Sequence, residues 1–185
     1  MDQQIRDLIS GNEGAFRALV KEYQGRVFHH AMQILRNREE AEDVCQETFI
    51  QVYESIKSFK GQSTLSTWII RIAINKALEK LRKVKRRAQL RELLPWWMPN
   101  ESQSYESTEL HPDIQLENKE KALSLYRAID RLNPNQRVAF TLIKLDEMSY
   151  VEASELMNLS IKAIESLVSR AKENIKKELK WKKTH

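Results

Sequence analysis

SYVEASELMNLSIKAIESLVSRAKENIKKEL, residues 149–179, is the stretch whose reading decides the fold. Its opening, Ser149-Tyr150-Val151-Glu152, forms a capping box, in which a hydroxyl and a carboxylate satisfy free backbone N–H groups at a helix start. The helix that follows is brief, ending near Met157, and Asn158 offers the residue type most tolerant of a left-handed turn after glycine. Ser160 caps a final helix whose Ile164, Leu167, Val168, Ala171, Ile175 and Leu179 recur at helical spacing on the inward side. A short helix, a tight turn and a longer basic helix form a helix-turn-helix. A plain helical hairpin is the ordinary alternative, and the short first helix, the Asn turn and the Lys/Arg content weigh against it. The outward face offers Lys162, Ala163, Glu165, Ser166, Ser169, Arg170 and Lys172, a mixture able to bond base edges as well as phosphates.

Just upstream, Ala122, Leu123, Tyr126 and Ile129 mark a helix that ends at Leu132. Asn133-Pro134 then restarts the chain as a cap with proline at the first helical position. Before these helices, ELLPWWMPNESQSYESTELHPD holds three of the four prolines and shows no apolar period, so it reads as a linker. Residues 88–118 carry a charge of −5, between blocks 1–87 and 119–185 that each carry +5.

The first block is patterned for three long helices. Phe16 to Leu35 and Ala41 to Ile56 each show the amphipathic spacing, and Leu65 to Arg87 is apolar almost all round near Ile69–Ile74 and basic at its far end. Phe59-Lys60-Gly61-Gln62-Ser63-Thr64 interrupts them with loop chemistry. Short connections make this a small bundle. Its charge is polarised: six acids and no base lie between Glu39 and Glu54, then ten bases against Glu79 between Lys57 and Arg87. Solvated helix faces account for either run alone; the adjacent pair implies two faces with different jobs.

The rest of the chain narrows the class. Its 185 residues suit one ordinary domain or two small ones. Four glycines and four prolines are too few for an all-β chain. No apolar run approaches the ~18 residues of a membrane span, and residues 1–10 hold no apolar signal core. The expectation is a cytoplasmic protein without membrane insertion. Cys45, the single cysteine, excludes an internal disulfide framework and any multi-cysteine zinc site. His29, His30, His111 and His185 form no His-Glu-x-x-His pattern, and neither a Gly-rich phosphate loop nor a nucleophile elbow occurs. The chain is therefore read as no enzyme, with no cofactor, no metal and no small-molecule substrate.

Three stretches together resemble the extracytoplasmic-function (ECF) sigma factors of the sigma-70 family. AFRALVKEYQGRVFHHAMQILRNREEAEDVCQETFIQVY (15–53) is similar to the N-terminal helices with their D-x-x-Q-E core-binding motif. SFKGQSTLSTWIIRIAINKALEKLRK (58–83) is similar to the F…S-T-W…R-I-A-x-N stretch, and 128–179 to the C-terminal helix-turn-helix. The resemblance implies an all-α protein of two small helical domains joined by a flexible acidic linker. Residues 1–90 would bind core RNA polymerase and recognise and open the −10 element, 91–118 would be the linker, and 119–185 would read the −35 element of promoter DNA. An anti-sigma factor is an implied partner. The different-class alternative is a stand-alone helix-turn-helix regulator of duplex DNA, which leaves the N-terminal motifs without a role.

Carried over residue by residue, Asp43, Gln46 and Glu47 match the polymerase-binding motif. Phe59, Lys60, Gly61, Gln62, Ser63 and Thr64 match the loop that captures a flipped −10 base, since a pocket can offset the few kcal/mol of unstacking. Asn75 matches a strand-contacting asparagine, with Arg71, Lys76, Lys80, Arg82 and Lys83 on phosphates. Trp68 is either a melting aromatic or core packing, and core packing is favoured because large aromatics at helical spacing usually face inward. Lys162, Ala163, Glu165, Ser166, Ser169, Arg170 and Lys172 would face the −35 major groove. Glu165 stands where the family commonly has a base, so its contacts are not copied from the usual case, and Glu165→Arg is expected to change the preferred sequence. Trp96 and Trp97 pack either on this chain or on the polymerase.

Overall fold

The structure, a computed structural model, describes residues 3–92 and 119–184, and side chains over 3–90 and 122–179. Trp96, Trp97 and nearly all of the acidic linker lie outside the described residues. The elements are α1 (Gln3–Ile9), α2 (Glu13–Leu35), α3 (Arg38–Ser55), a 3-10 turn (Ile56–Ser58), α4 (Leu65–Glu92), α5 (Lys119–Asp130), α6 (Pro134–Lys144), α7 (Tyr150–Met157) and α8 (Ile161–Thr184). No strand occurs among the described residues. The chain divides into two compact units: α1 to α3 with α4 as far as Ala77 and the last three residues of α7, and the rest of α4 from Leu78 with α5, α6, α8 and the first five residues of α7.

In the first unit, α2 and α3 pack along each other. They are joined by two residues. Arg36 takes the left-handed conformation (φ 56°) and its N–H donates to Met32 O, while the Asn37 side chain accepts from Glu40 N at 2.9 Å and starts α3. Leu19, Val27 and Ile34 of α2 meet a core that also holds Val44 and Val52 of α3 and Ile69 and Ile74 of α4. Each such side chain gains roughly 1.5–3 kcal/mol over an exposed one. α1, which the sequence reading did not foresee, packs on α2 and the 3-10 turn and buries Leu8. α4 runs on to Glu92, so the first acid of the expected linker is helical.

In the second unit, α8 packs on α5 and α6. Ala128, Ile129 and Leu132 form one cluster with Ala171 and Ile175. Asp130, at the end of α5, pairs with the buried Arg137 of α6 at 3.0 Å. Local chemistry sets the boundaries as the sequence implies. Asn133 caps α6 ahead of Pro134. Ser149 and Glu152 form the reciprocal capping box of α7, with Ser149 N donating to Glu152 Oε2 at 2.8 Å and Glu152 N to Ser149 Oγ at 3.2 Å. Asn158 is left-handed (φ 52°, ψ 46°), and Ser160 Oγ accepts from Ala163 N at 3.2 Å at the start of α8.

Candidate functional site

α3 presents Asp43, Gln46 and Glu47 to solvent while Val44, Thr48 and Val52 point into the bundle. Beside Gln46 an open groove of about 550 Å³ runs between α2 and α3, lined by Phe16, Val20, Cys45, Phe49, Ile50 and Tyr53. Ile50 and Tyr53 are 58% and 56% exposed, more than apolar side chains of a finished surface need be. Tyr53 lies within the apolar spacing of Ala41 to Ile56 yet on the exposed side of the helix. A second apolar stripe on one helix is the signal that would have found the groove. Burial pushes the Cys45 thiol up, away from the reactive thiolate.

The connection into α4 is built from inside. Phe59, expected to face DNA, is buried at 6% exposure, with its ring centroid 5.2 Å from that of the half-buried Trp68. In this structure the ring underpins the loop from inside. Lys60, Gly61, Gln62 and Thr64 are exposed and Ser63 is half-buried. Gly61 has φ 68°, a conformation that L side chains rarely adopt. Thr64 Oγ1 accepts from Thr67 N at 3.1 Å and so caps α4. Arg26 of α2, which the sequence did not single out, donates to Ser66 Oγ at 2.8 Å and ties the first turn of α4 to the bundle.

Along α4 the candidate side chains differ in availability. Asn75, Arg82 and Lys83 are exposed, with Arg82 Nη2 donating to Asn135 Oδ1 at 3.2 Å, whereas Arg71, Lys76 and Lys80 are half-buried. Arg71 Nε is enclosed and has no hydrogen-bond partner among the described residues. Lys76 lies 3.8 Å from Glu47, so one predicted phosphate contact pairs with one predicted polymerase contact. Sequence spacing places these two on different helices and does not reveal the pair.

α8 is simpler. Lys162, Glu165, Ser166, Ser169, Arg170 and Lys172 are exposed opposite Ile164, Val168 and Ala171. Ala163 is half-buried, at the margin of the face on which it was expected. No ion pair or hydrogen bond engages these six side chains among the described residues.

A helical unit with an acidic face and an apolar groove, accompanied by a unit whose helix-turn-helix offers an unpaired polar and basic face, defines a DNA-binding protein with a further protein-docking surface. Comparison with known proteins agrees. Residues 19–87 match Sigma-70 region 2 and residues 122–175 match Sigma-70, region 4. The chain is 30% identical to the ECF RNA polymerase sigma-E factor of Haemophilus influenzae, over 91% of this chain and 89% of that protein. It is 26% identical to the ECF RNA polymerase sigma factor SigW of Bacillus subtilis, over 96% of each. The structure of the sigma factor RpoE with the anti-sigma factor NepR from Bartonella quintana shares the fold, with a TM-score of 0.61, 24% identity, and 89% of this chain and 96% of that one covered. The chain belongs to the ECF sigma factors of the sigma-70 family. It is an RNA polymerase sigma factor that directs promoter-specific transcription initiation. Among the described residues no helix is long and apolar enough to cross a membrane.

Proposed function

We propose that two regions of the chain divide the work of initiation, with residues 1–90 docking on core RNA polymerase and opening the −10 element, residues 91–118 linking, and residues 119–185 reading the −35 element. The observation that carries the docking half is the exposed Asp43-Gln46-Glu47 face of α3 beside an open apolar groove. Apolar anchors beside a charged rim are the usual composition of a protein interface. The carboxylates would pair with basic side chains of the polymerase, and Ile50 and Tyr53 would be covered. The Lys60–Thr64 loop and Asn75 would hold the unpaired strand, and Arg82 and Lys83 would take phosphates. The bond-making chemistry belongs to the polymerase, in the cytoplasm, and this chain supplies recognition.

An anti-sigma factor is a further partner on this reading, as the RpoE structure was solved with one. The test is co-migration with sigma-free core RNA polymerase and competition with a housekeeping sigma factor. Charge reversal of both Asp43 and Glu47 to Lys should weaken binding by about 100-fold, the scale on which a docked charge pair is lost. Equal binding by wild type and the double reversal overturns the assignment. Failure of wild type to bind, alongside salt-sensitive binding to duplex DNA alone, moves the chain to an autonomous regulator.

A further inference from the structure

Between Ile161 and Lys172, Glu165 is the sole acid among Lys162, Arg170 and Lys172. It is exposed in the second turn of α8, and no ion pair or hydrogen bond engages it among the described residues. Lys162, one turn before it, is on hand for an i,i+3 pair and does not form one. Ser169, four residues on, shares its side of the helix. The N-terminal residues of a recognition helix are those that reach base edges, and Glu165 is the fifth residue of α8.

A carboxylate has only acceptors to offer. Brought into a groove lined by phosphates, it loses free energy unless a base donates to it. The major-groove edges decide which base can. Guanine shows two acceptors there, and thymine an acceptor and a methyl group. Adenine has a donor with an acceptor, N7, beside it, and cytosine has the N4 amino donor alone. Cytosine is therefore the one edge that bonds a carboxylate without facing it with a second lone pair.

We propose that Glu165 is a specificity-determining residue that selects cytosine at one position of the upstream promoter element, by accepting a hydrogen bond from its N4 amino group. This rests on the reading of α8 as the −35 helix and adds the base it prefers. Lys162, Arg170 and Lys172 hold the flanking phosphates and offset the like-charge cost of bringing an acid among them.

The experiment is a binding selection on promoter duplexes randomised across the −35 region. Core polymerase is combined with the full-length wild-type chain, with Glu165→Gln or with Glu165→Arg. Wild type should favour cytosine over thymine or guanine at one position by about tenfold, the scale of a good base contact. Glu165→Gln should move that preference to adenine, whose N6 and N7 suit an amide, and Glu165→Arg to guanine. Melting curves of the three chains should coincide, because the residue is exposed. If both variants keep the wild-type preference at every position, or gain affinity uniformly, Glu165 is a solvated acid and the inference falls while the initiation reading stands. The same library offered to the chain without polymerase separates the reverse case. A Glu165-dependent cytosine preference with no holoenzyme formed would overturn the initiation reading and sustain the contact.

Discussion

α4 and α8 are both long helices with basic faces, yet they offer those faces differently. The first half of α4 is committed to its own unit. Thr64 caps it, Arg26 holds its first turn, Ile69, Ile70, Ala73 and Ile74 are buried, and Lys76 is paired with Glu47. α8 buries one stripe and leaves Lys162, Glu165, Ser166, Ser169, Arg170 and Lys172 exposed and without an ion pair or hydrogen bond among the described residues. A helix that reads an intact groove needs only a rigid face. A region that must hold an unpaired strand needs a rigid support for a loop, and the support has to be internal. On the proposed reading, Phe59 and Trp68 are that support.

The sharpest way to break this contrast is Phe59→Ala. Emptying the site under the loop should cost roughly 3 kcal/mol of stability, read by denaturant unfolding. Promoter opening should fall in variants still folded at the assay temperature, through the lost support of the loop. A stable variant with normal opening would show that the loop needs no such floor.

Next in size is the start of the helix-turn-helix. Ser149→Ala removes the cap of α7 and should cost about 1 kcal/mol. The bonds from Ser149 hold the Glu152 carboxyl below the usual carboxylate range. A depressed folded value means that this stabilisation is complete above the ordinary range and is lost as pH falls through the folded value. The stability gap between wild type and Ser149→Ala should therefore narrow in acid, and a gap independent of pH would argue against the reciprocal box.

The smallest effect is expected from the link between the two charged faces of the first unit. A double-mutant cycle of Glu47→Gln and Lys76→Met should return a coupling below about 1 kcal/mol, because both side chains keep contact with solvent. A larger value would make the pair a structural strut and would weaken the view that each residue is free to meet its own partner.

The second unit was legible in the sequence almost to the residue. Its boundaries are written in caps: Asn133 with Pro134, Ser149 with Glu152, Asn158, and Ser160. Each acts on backbone groups within a few positions of itself, so the chemistry is complete before any tertiary contact forms. Glu147, left-handed at φ 52°, had no such local signal and was not foreseen. The long helices of the first unit and the polarity of their charges were equally readable, because apolar spacing and charge order are properties of the chain alone.

What the sequence left open depended on which surfaces meet. Whether Phe59 is exposed or buried, whether Tyr53 is inward or bare, and whether Lys76 is free or paired with Glu47 cannot follow from periodicity, since each is decided by the neighbour that packing supplies. α1 escaped notice for the same reason: seven residues carry too little helical preference alone, and burial of Leu8 against α2 and the 3-10 turn is what holds them. Helix, cap and charge are local and belong to the sequence, whereas exposure and pairing are relations between elements and belong to the tertiary structure.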